Sequence, residues 1–132
     1  MPLLDRTGLV AAPSLPETVI AGDTPPLEAF ALAADAPLVV IDFASGGDGR
    51  GFSLARSLRE QGFKGRLHTR GPLIPEQYAF AIRLGIDAVE VTEERLSRQP
   101  VEHWLAALAA FSFAYQGLGS IFDRRRAERL AA

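Results

Sequence analysis

The glycine-rich stretch at residues 46–51, GGDGRG, is the part of the sequence best suited to bind a small anion. It separates an apolar run from an amphipathic segment, so free backbone N–H groups and the positive end of a helix dipole are expected there. Arg50 adds a positive charge and Ser53 adds a hydroxyl group. The candidate ligand-binding residues of this loop are Asp48, Gly49, Arg50, Gly51 and Ser53.

The spacing of these glycines does not fit the common nucleotide-binding loops. A dinucleotide fingerprint needs G-x-G-x-x-G, and a phosphate loop ends in glycine, lysine and a hydroxyl residue, but no lysine is present here. A tight turn would explain the same residues, with Asp48 capping the helix and Arg50 paired with a carboxylate such as Glu76 or Glu90. The sequence leaves both the anion site and the structural turn open.

A second group of candidates follows at His68, Arg70 and Gln77. Residues 66–70, RLHTR, alternate polar and apolar side chains, which is typical of a strand with one polar face. His68 could act as a general base with Arg70 polarising a substrate, or it could simply be solvated or hydrogen-bonded. Gln77, near a predicted helix start, is either a ligand donor or a loop anchor. With no serine or cysteine nucleophile at a recognisable spacing, no catalytic residue is assigned.

Composition excludes several classes of chemistry. The chain has no cysteine, which rules out disulfides, thiolate nucleophiles, zinc-thiolate sites and cysteine-ligated iron–sulfur clusters. Fourteen basic and sixteen acidic residues give a net charge of −2, so we expect no nucleic-acid partner. Asp42 and Glu90 could meet at strand ends, but no calcium-loop pattern accompanies them and we predict no metal site.

The first twenty residues are unsuited to a signal peptide or a membrane span. Asp5, Arg6 and three prolines interrupt every apolar run before it reaches the necessary length. We therefore predict a cytoplasmic protein that does not bind membranes.

Strands alternate with helices along the middle of the chain. Residues 38–43, LVVIDF, predict a buried strand, and the glycine loop then leads into the amphipathic helix FSLARSLREQ. The unit recurs as a strand at 66–70, a helix from Pro75 and a strand in IDAVEV, residues 86–91. A last helix near Pro100 carries a stripe that we predict to be core: Val101, Trp104, Leu105 and Leu108.

This pattern predicts one α/β domain over residues 1–132, with a mainly parallel open sheet of three to four strands. The polar strand at 66–70 suits either a flavodoxin-like sheet or a half-barrel, and both stay open. Residues 1–37 hold six of the nine prolines and predict a looser segment, and residues 117–132 predict a C-terminal tail. An open sheet of this size would gain from homodimer formation.

The segment DGRGFSLARSLREQGFKGRL, residues 48–67, resembles an uncharacterised bacterial family whose genes commonly lie beside those for assimilatory sulfite reductase. The similarity continues through RLGIDAVEV, residues 83–91, and FSFAYQ, residues 111–116. It covers about residues 38–116 in all.

The resemblance implies a role near sulfite or sulfate reduction, and some members carry the label oxidoreductase without an established reaction or cofactor. Composition limits that label, because the cluster of a sulfite reductase needs cysteine ligands that this chain lacks. Our first interpretation is an accessory protein that acts through a partner, either sulfite reductase or its reductant supplier. The alternative is an enzyme or small-molecule binder that holds sulfate, phosphate or a phosphorylated cofactor on the DGRG loop.

Overall fold

A computed structural model describes residues 1–44 and 49–111 of the chain. Within these ranges the strands are β1 (Leu3–Asp5), β2 (Gly8–Val10), β3 (Glu17–Ala21), β4 (Leu38–Asp42), β5 (Arg66–Arg70) and β6 (Ala88–Glu90). The helices are α1 (Pro26–Ala33), α2 (Gly49–Glu60), α3 (Pro75–Arg83), α4 (Glu93–Arg98) and α5, which spans residues 101–111. Asp48 and the predicted tail at 117–132 lie outside the described residues.

The strands form one six-stranded sheet in the order β2-β1-β6-β5-β4-β3. Strands β3 to β6 are parallel, but β1 runs antiparallel to β6 and β2 antiparallel to β1. The α/β class is confirmed, whereas the prediction of three to four mainly parallel strands is wrong because the sheet is mixed. The added hairpin consists of two three-residue strands, the second of which begins at Gly8 with φ +118. Strands of this length are too short to show a period in the sequence.

The proline-rich residues 1–37, predicted to be looser, contribute three strands and α1. The prolines are compatible with this order because they lie between the elements or at a helix start, where no interior hydrogen bond is lost. Pro26 occupies the first turn of α1, and Pro37 directly precedes β4. The segment therefore supplies the strands at both edges of the sheet, β2 and β3.

The four parallel strands are adjacent in the sheet in the same order as in the chain, β3, β4, β5 and β6. This is the strand order expected for the half-barrel alternative. Right-handed crossovers between such neighbours place the connecting helices on the same face of the sheet. Ile41 and Leu67 on that face belong to the same core as Leu58 of α2 and Tyr78 of α3. Trp104 of α5 is also fully buried in this core, as its helical spacing predicted.

The opposite face of the parallel strands carries the charged side chains. In the register of β4 and β5, Val40 lies beside His68 and Asp42 beside Arg70, while Arg70 lies beside Glu90 of β6. The predicted polar face of residues 66–70 is therefore present in the sheet. It belongs to β5, an interior strand that lies between β4 and β6.

Candidate functional site

The carboxyl ends of β3, β4, β5 and β6 meet at one edge of the sheet because these strands are parallel. Ligands of open α/β sheets bind at this edge, where the strands give way to loops and helix starts. Cavities open here among the described residues, and two of them, lined by different arginines, lie apart from each other. We take this edge as the candidate functional site.

The first cavity, the Arg50 cavity, lies between the turn after β3 and the first turns of α2. It has a volume of about 220 Å³ and is lined by Asp23, Thr24, Arg50 and Ser53 among others. A smaller cavity of about 170 Å³ adjoins it, and Asp42 and Arg50 both line that space. The structure thus brings the candidates Arg50 and Ser53 together, as an anion site would require.

The glycines of the DGRG motif have different environments. A Cβ atom added to Gly51 would lie 2.5 Å from the ring of Phe43, so no side chain fits there. At Gly49, by contrast, no atom lies within 4 Å of the added Cβ. Phe43 is buried and packs edge-on against Phe52, with ring centroids 4.9 Å apart. The absence of a side chain at Gly51 leaves room for the Phe43 ring in this contact. Packing accounts for Gly51 without a ligand.

Arg70 is held by two carboxylates on the polar face of the sheet. Its Nε donates to Glu90 Oε2 at 2.5 Å, and its Nη2 donates to Glu17 Oε2 at 3.0 Å. The hydrogen bond to Glu90 raises the pKa of the guanidinium, so Arg70 stays charged. Glu90, which the turn hypothesis offered as a partner for Arg50, accepts hydrogen bonds from Arg70.

His68 is buried, with 1% of its surface exposed. Its Nε2 accepts a hydrogen bond from Arg66 Nε at 3.2 Å, which places the ring proton on Nδ1. Burial, followed by the nearby charge of Arg66, lowers the pKa of the ring below its ordinary value of 6.5. His68 is thus a neutral, hydrogen-bonded side chain beneath the surface, with no access for a substrate in this conformation.

Gln77 stabilises the start of α3. Its Oε1 accepts a hydrogen bond from the backbone N–H of Ile74 at 3.0 Å, three residues earlier. The bond satisfies the backbone N–H of Ile74, which immediately precedes the helix. The next residue, Pro75, has no N–H group and needs no such partner. The loop-anchor interpretation of Gln77 therefore has a direct contact in the structure.

The second cavity, the Arg95 cavity, lies at the ends of β5 and β6. Its volume is about 290 Å³, and its lining includes Arg70, Leu73, Val91 and Arg95. Sequence reasoning missed Arg95, since it lies in the six-residue helix α4, which shows no apolar stripe. The local signal that could have located α4 is its N-cap, where Thr92 Oγ1 accepts from the Arg95 backbone N–H at 3.1 Å.

The described residues, 1–44 and 49–111, contain no group of three or more histidine, aspartate or glutamate side chains arranged to hold a metal ion. None of their helices has the length and apolar composition that crossing a membrane requires.

Comparison with known proteins identifies the family of the chain. Neither the curated proteins nor the solved structures yield a match. A family profile described as "Bacterial protein of unknown function (DUF934)" matches residues 18–121, a span that includes Arg50, Arg70 and Arg95. Because this match covers well over half of the 132 residues, the chain belongs to the DUF934 family of bacterial proteins of unknown function.

Proposed function

We propose that this protein is an accessory protein of sulfite or sulfate assimilation that acts by binding a partner protein. The partner is sulfite reductase or the protein that supplies its reductant. The sulfur pathway rests on the resemblance of residues 48–67 to a family encoded beside assimilatory sulfite reductase. The binding role is supported by an exposed apolar surface on α1.

Helix α1, PLEAFALA, is apolar around most of its circumference but lies at the surface. Ala29 and Ala33 are buried against the core, whereas Leu27 is 81% exposed and Leu32 is 53% exposed. A helix that is apolar on all sides is normally covered by protein, and a contiguous exposed apolar patch marks an interaction surface. This exposed arc, the α1 surface, consists of Leu27, Glu28, Ala31 and Leu32.

The position of α1 in the fold favours docking. Helix α1 precedes β4 in the chain and packs beside β3. Among the described residues, β3 is the last strand of the sheet and has no strand on its outer side. A partner on the α1 surface can therefore approach without obstruction from another strand of the sheet. The Arg50 cavity of the carboxyl edge is lined by residues of the same β3–α1 turn.

The double variant Leu27→Asp/Leu32→Asp is expected to weaken partner binding at least about tenfold, because apolar anchors at an interface each contribute roughly 1–3 kcal/mol. Its unfolding free energy should stay within about 0.5 kcal/mol of wild type, since both side chains are exposed. Calorimetric titration against purified sulfite reductase and against its reductant supplier measures the affinity.

Leu9→Asp provides the matched control, because Leu9 is an exposed leucine on β2 at the opposite end of the sheet. Equal affinities for wild type and the double variant, or no binding of either partner at micromolar concentration, would contradict the proposal. If the double variant instead converts a homodimer to a monomer in sedimentation experiments, a second copy is the occupant of the α1 surface.

A second candidate function is supported by the Arg50 cavity. Arg50 and Ser53 line it together at the start of α2, where backbone N–H groups lack helical partners. These groups suit a sulfate, sulfite or phosphate ion, or the phosphate of a cofactor. In this function the protein would be a small-molecule binder or an enzyme.

Arg50→Ala is expected to abolish the stabilisation that such a ligand gives to the wild type. A ligand at a hundred times its dissociation constant adds about 2.7 kcal/mol, which raises the melting temperature by several degrees in a small domain. Thermal melting with sulfate, sulfite, phosphate, flavin mononucleotide and nicotinamide nucleotides measures this shift. Arg56→Ala, at an exposed arginine of the same helix, is the control. A flat response of the wild type to all ligands would eliminate this candidate.

A further inference from the structure

We infer that the Arg95 cavity binds an organic monoanion with an apolar body, and that Arg95 holds its acidic group. This ligand differs in chemistry from the inorganic or phosphorylated anion considered for the Arg50 cavity. The inference is independent of partner binding at the α1 surface. It rests on the lining of the cavity, on the state of Arg95 and on the position of Arg70.

The walls of the cavity are apolar and fixed in place. Leu73 and Val91 contribute to the lining, and both residues are buried almost completely in the fold. At Gly71 the backbone has φ +135, and an added Cβ would lie 2.5 Å from the carbonyl oxygen of Phe43. The loop after β5 is therefore packed tightly against β4. A cavity of about 290 Å³ with such walls accommodates a small organic ligand.

Arg95 is a half-buried cation whose guanidinium forms no hydrogen bond or ion pair with any described residue. The other arginine of α4, Arg98, instead pairs with Glu94 at 2.8 Å. Burying part of a charge without a partner is unfavourable, and an anion in the cavity would remove that cost. The lining thus combines an apolar surface with the cation Arg95, whose guanidinium donors are unused within the described residues.

Arg70 lines the same cavity. Its Nε and Nη2 are bonded to Glu90 and Glu17, which leaves Nη1 without a partner in the described part of the chain. The two carboxylates more than offset its single positive charge, so Arg95 and not Arg70 supplies the attraction for an anion. The two arginines and the two glutamates together carry no net charge. A sulfate or phosphate dianion would therefore bring more uncompensated negative charge than a monoanion does, which favours the monoanion. An inorganic ion would also leave the apolar walls unfilled.

Benzoate and benzenesulfonate are suitable probes, with benzamide as the neutral isostere of benzoate and inorganic sulfate as the anion without an apolar body. Calorimetric titration of the full chain should detect binding of one or both aromatic anions and weaker binding of benzamide and sulfate. Arg95→Ala should reduce the affinity at least about tenfold, because this is the change in dissociation constant that corresponds to the loss of one charge-assisted hydrogen bond. Arg98→Ala should bind as the wild type does.

NMR titration of the wild type locates the ligand independently of any variant. Shifts confined to residues 70–73 and 91–95 are expected, and Arg95→Lys should recover part of the affinity because it retains a positive charge. Equal affinities for wild type and Arg95→Ala, or for benzoate and benzamide, would overturn the inference. Absence of saturable binding of both anions up to about 10 mM would do the same.

Discussion

Replacing Trp104 with alanine is expected to lower the free energy of unfolding by about 3–5 kcal/mol, the usual range for removing a buried aromatic ring. Trp104 is fully buried on α5 and packs edge-on against Tyr78 of α3, with ring centroids 5.7 Å apart. Its indole Nε1 donates to the carbonyl oxygen of Gln99 at 2.7 Å. Alanine would remove the ring contacts and leave a cavity where α5 meets the core.

The effect should extend to β1 through Tyr78. The Tyr78 hydroxyl donates to the carbonyl oxygen of Asp5 at 2.6 Å, so the Trp104–Tyr78 pair connects α5 and α3 to the added hairpin. Burial, followed by the charge of Asp5, raises the pKa of the Tyr78 phenol to about 12. The hydroxyl therefore stays protonated and remains a donor at neutral pH.

Urea denaturation followed by circular dichroism measures the loss for Trp104→Ala. Trp104→Phe keeps a ring in the core and should lose less, while His103→Ala changes an exposed neighbour on α5 and should stay within about 0.5 kcal/mol of wild type. A loss for Trp104→Ala as small as that of His103→Ala would show that α5 does not pack on the core as described.

Arg59→Ala is expected to lower the free energy of unfolding by about 2–4 kcal/mol, because hydrogen bonds to charged groups are strong and their loss leaves acceptors unsatisfied. Arg59 donates to the carbonyl oxygens of Gly85 at 2.9 Å, Phe63 at 2.9 Å and Gly65 at 2.8 Å. Its Nη2 also donates to Asp87 Oδ2 at 2.9 Å. One side chain thus joins the end of α2 to the segments before β5 and β6.

Arg59→Lys should recover little of this stability. A guanidinium directs its donors along a planar fork, whereas an ammonium group cannot reach the same acceptors together. Arg56→Ala is the control on the same helix, since Arg56 forms an exposed ion pair with Glu60 and should contribute about 0.5 kcal/mol or less. Similar losses for Arg56→Ala and Arg59→Ala in chemical denaturation would show that the Arg59 contacts are not formed in solution.

The parts of the candidate site that could be predicted from the sequence are those formed by residues close together along the chain. Arg50 and Ser53 lie three residues apart on one helix turn, and they line the same cavity. Arg95 carries no such local mark, because Arg70 and Leu73 reach its cavity from the end of another strand, β5. The role of His68 was equally hidden, since its burial depends on the strands on both sides of β5.

By itself the sequence determined the features that depend on residue type or local periodicity. These are the absence of cysteine chemistry, the alternation of strands and helices after residue 38, the polar face of β5 and the core stripe of α5. Only the tertiary structure decided that a short N-terminal hairpin makes the sheet mixed, and which arginines are paired. Glu17 is 53 residues from Arg70, and Asp87 is 28 from Arg59. Such pairs depend on strand order and register, which local patterns of side chains do not encode.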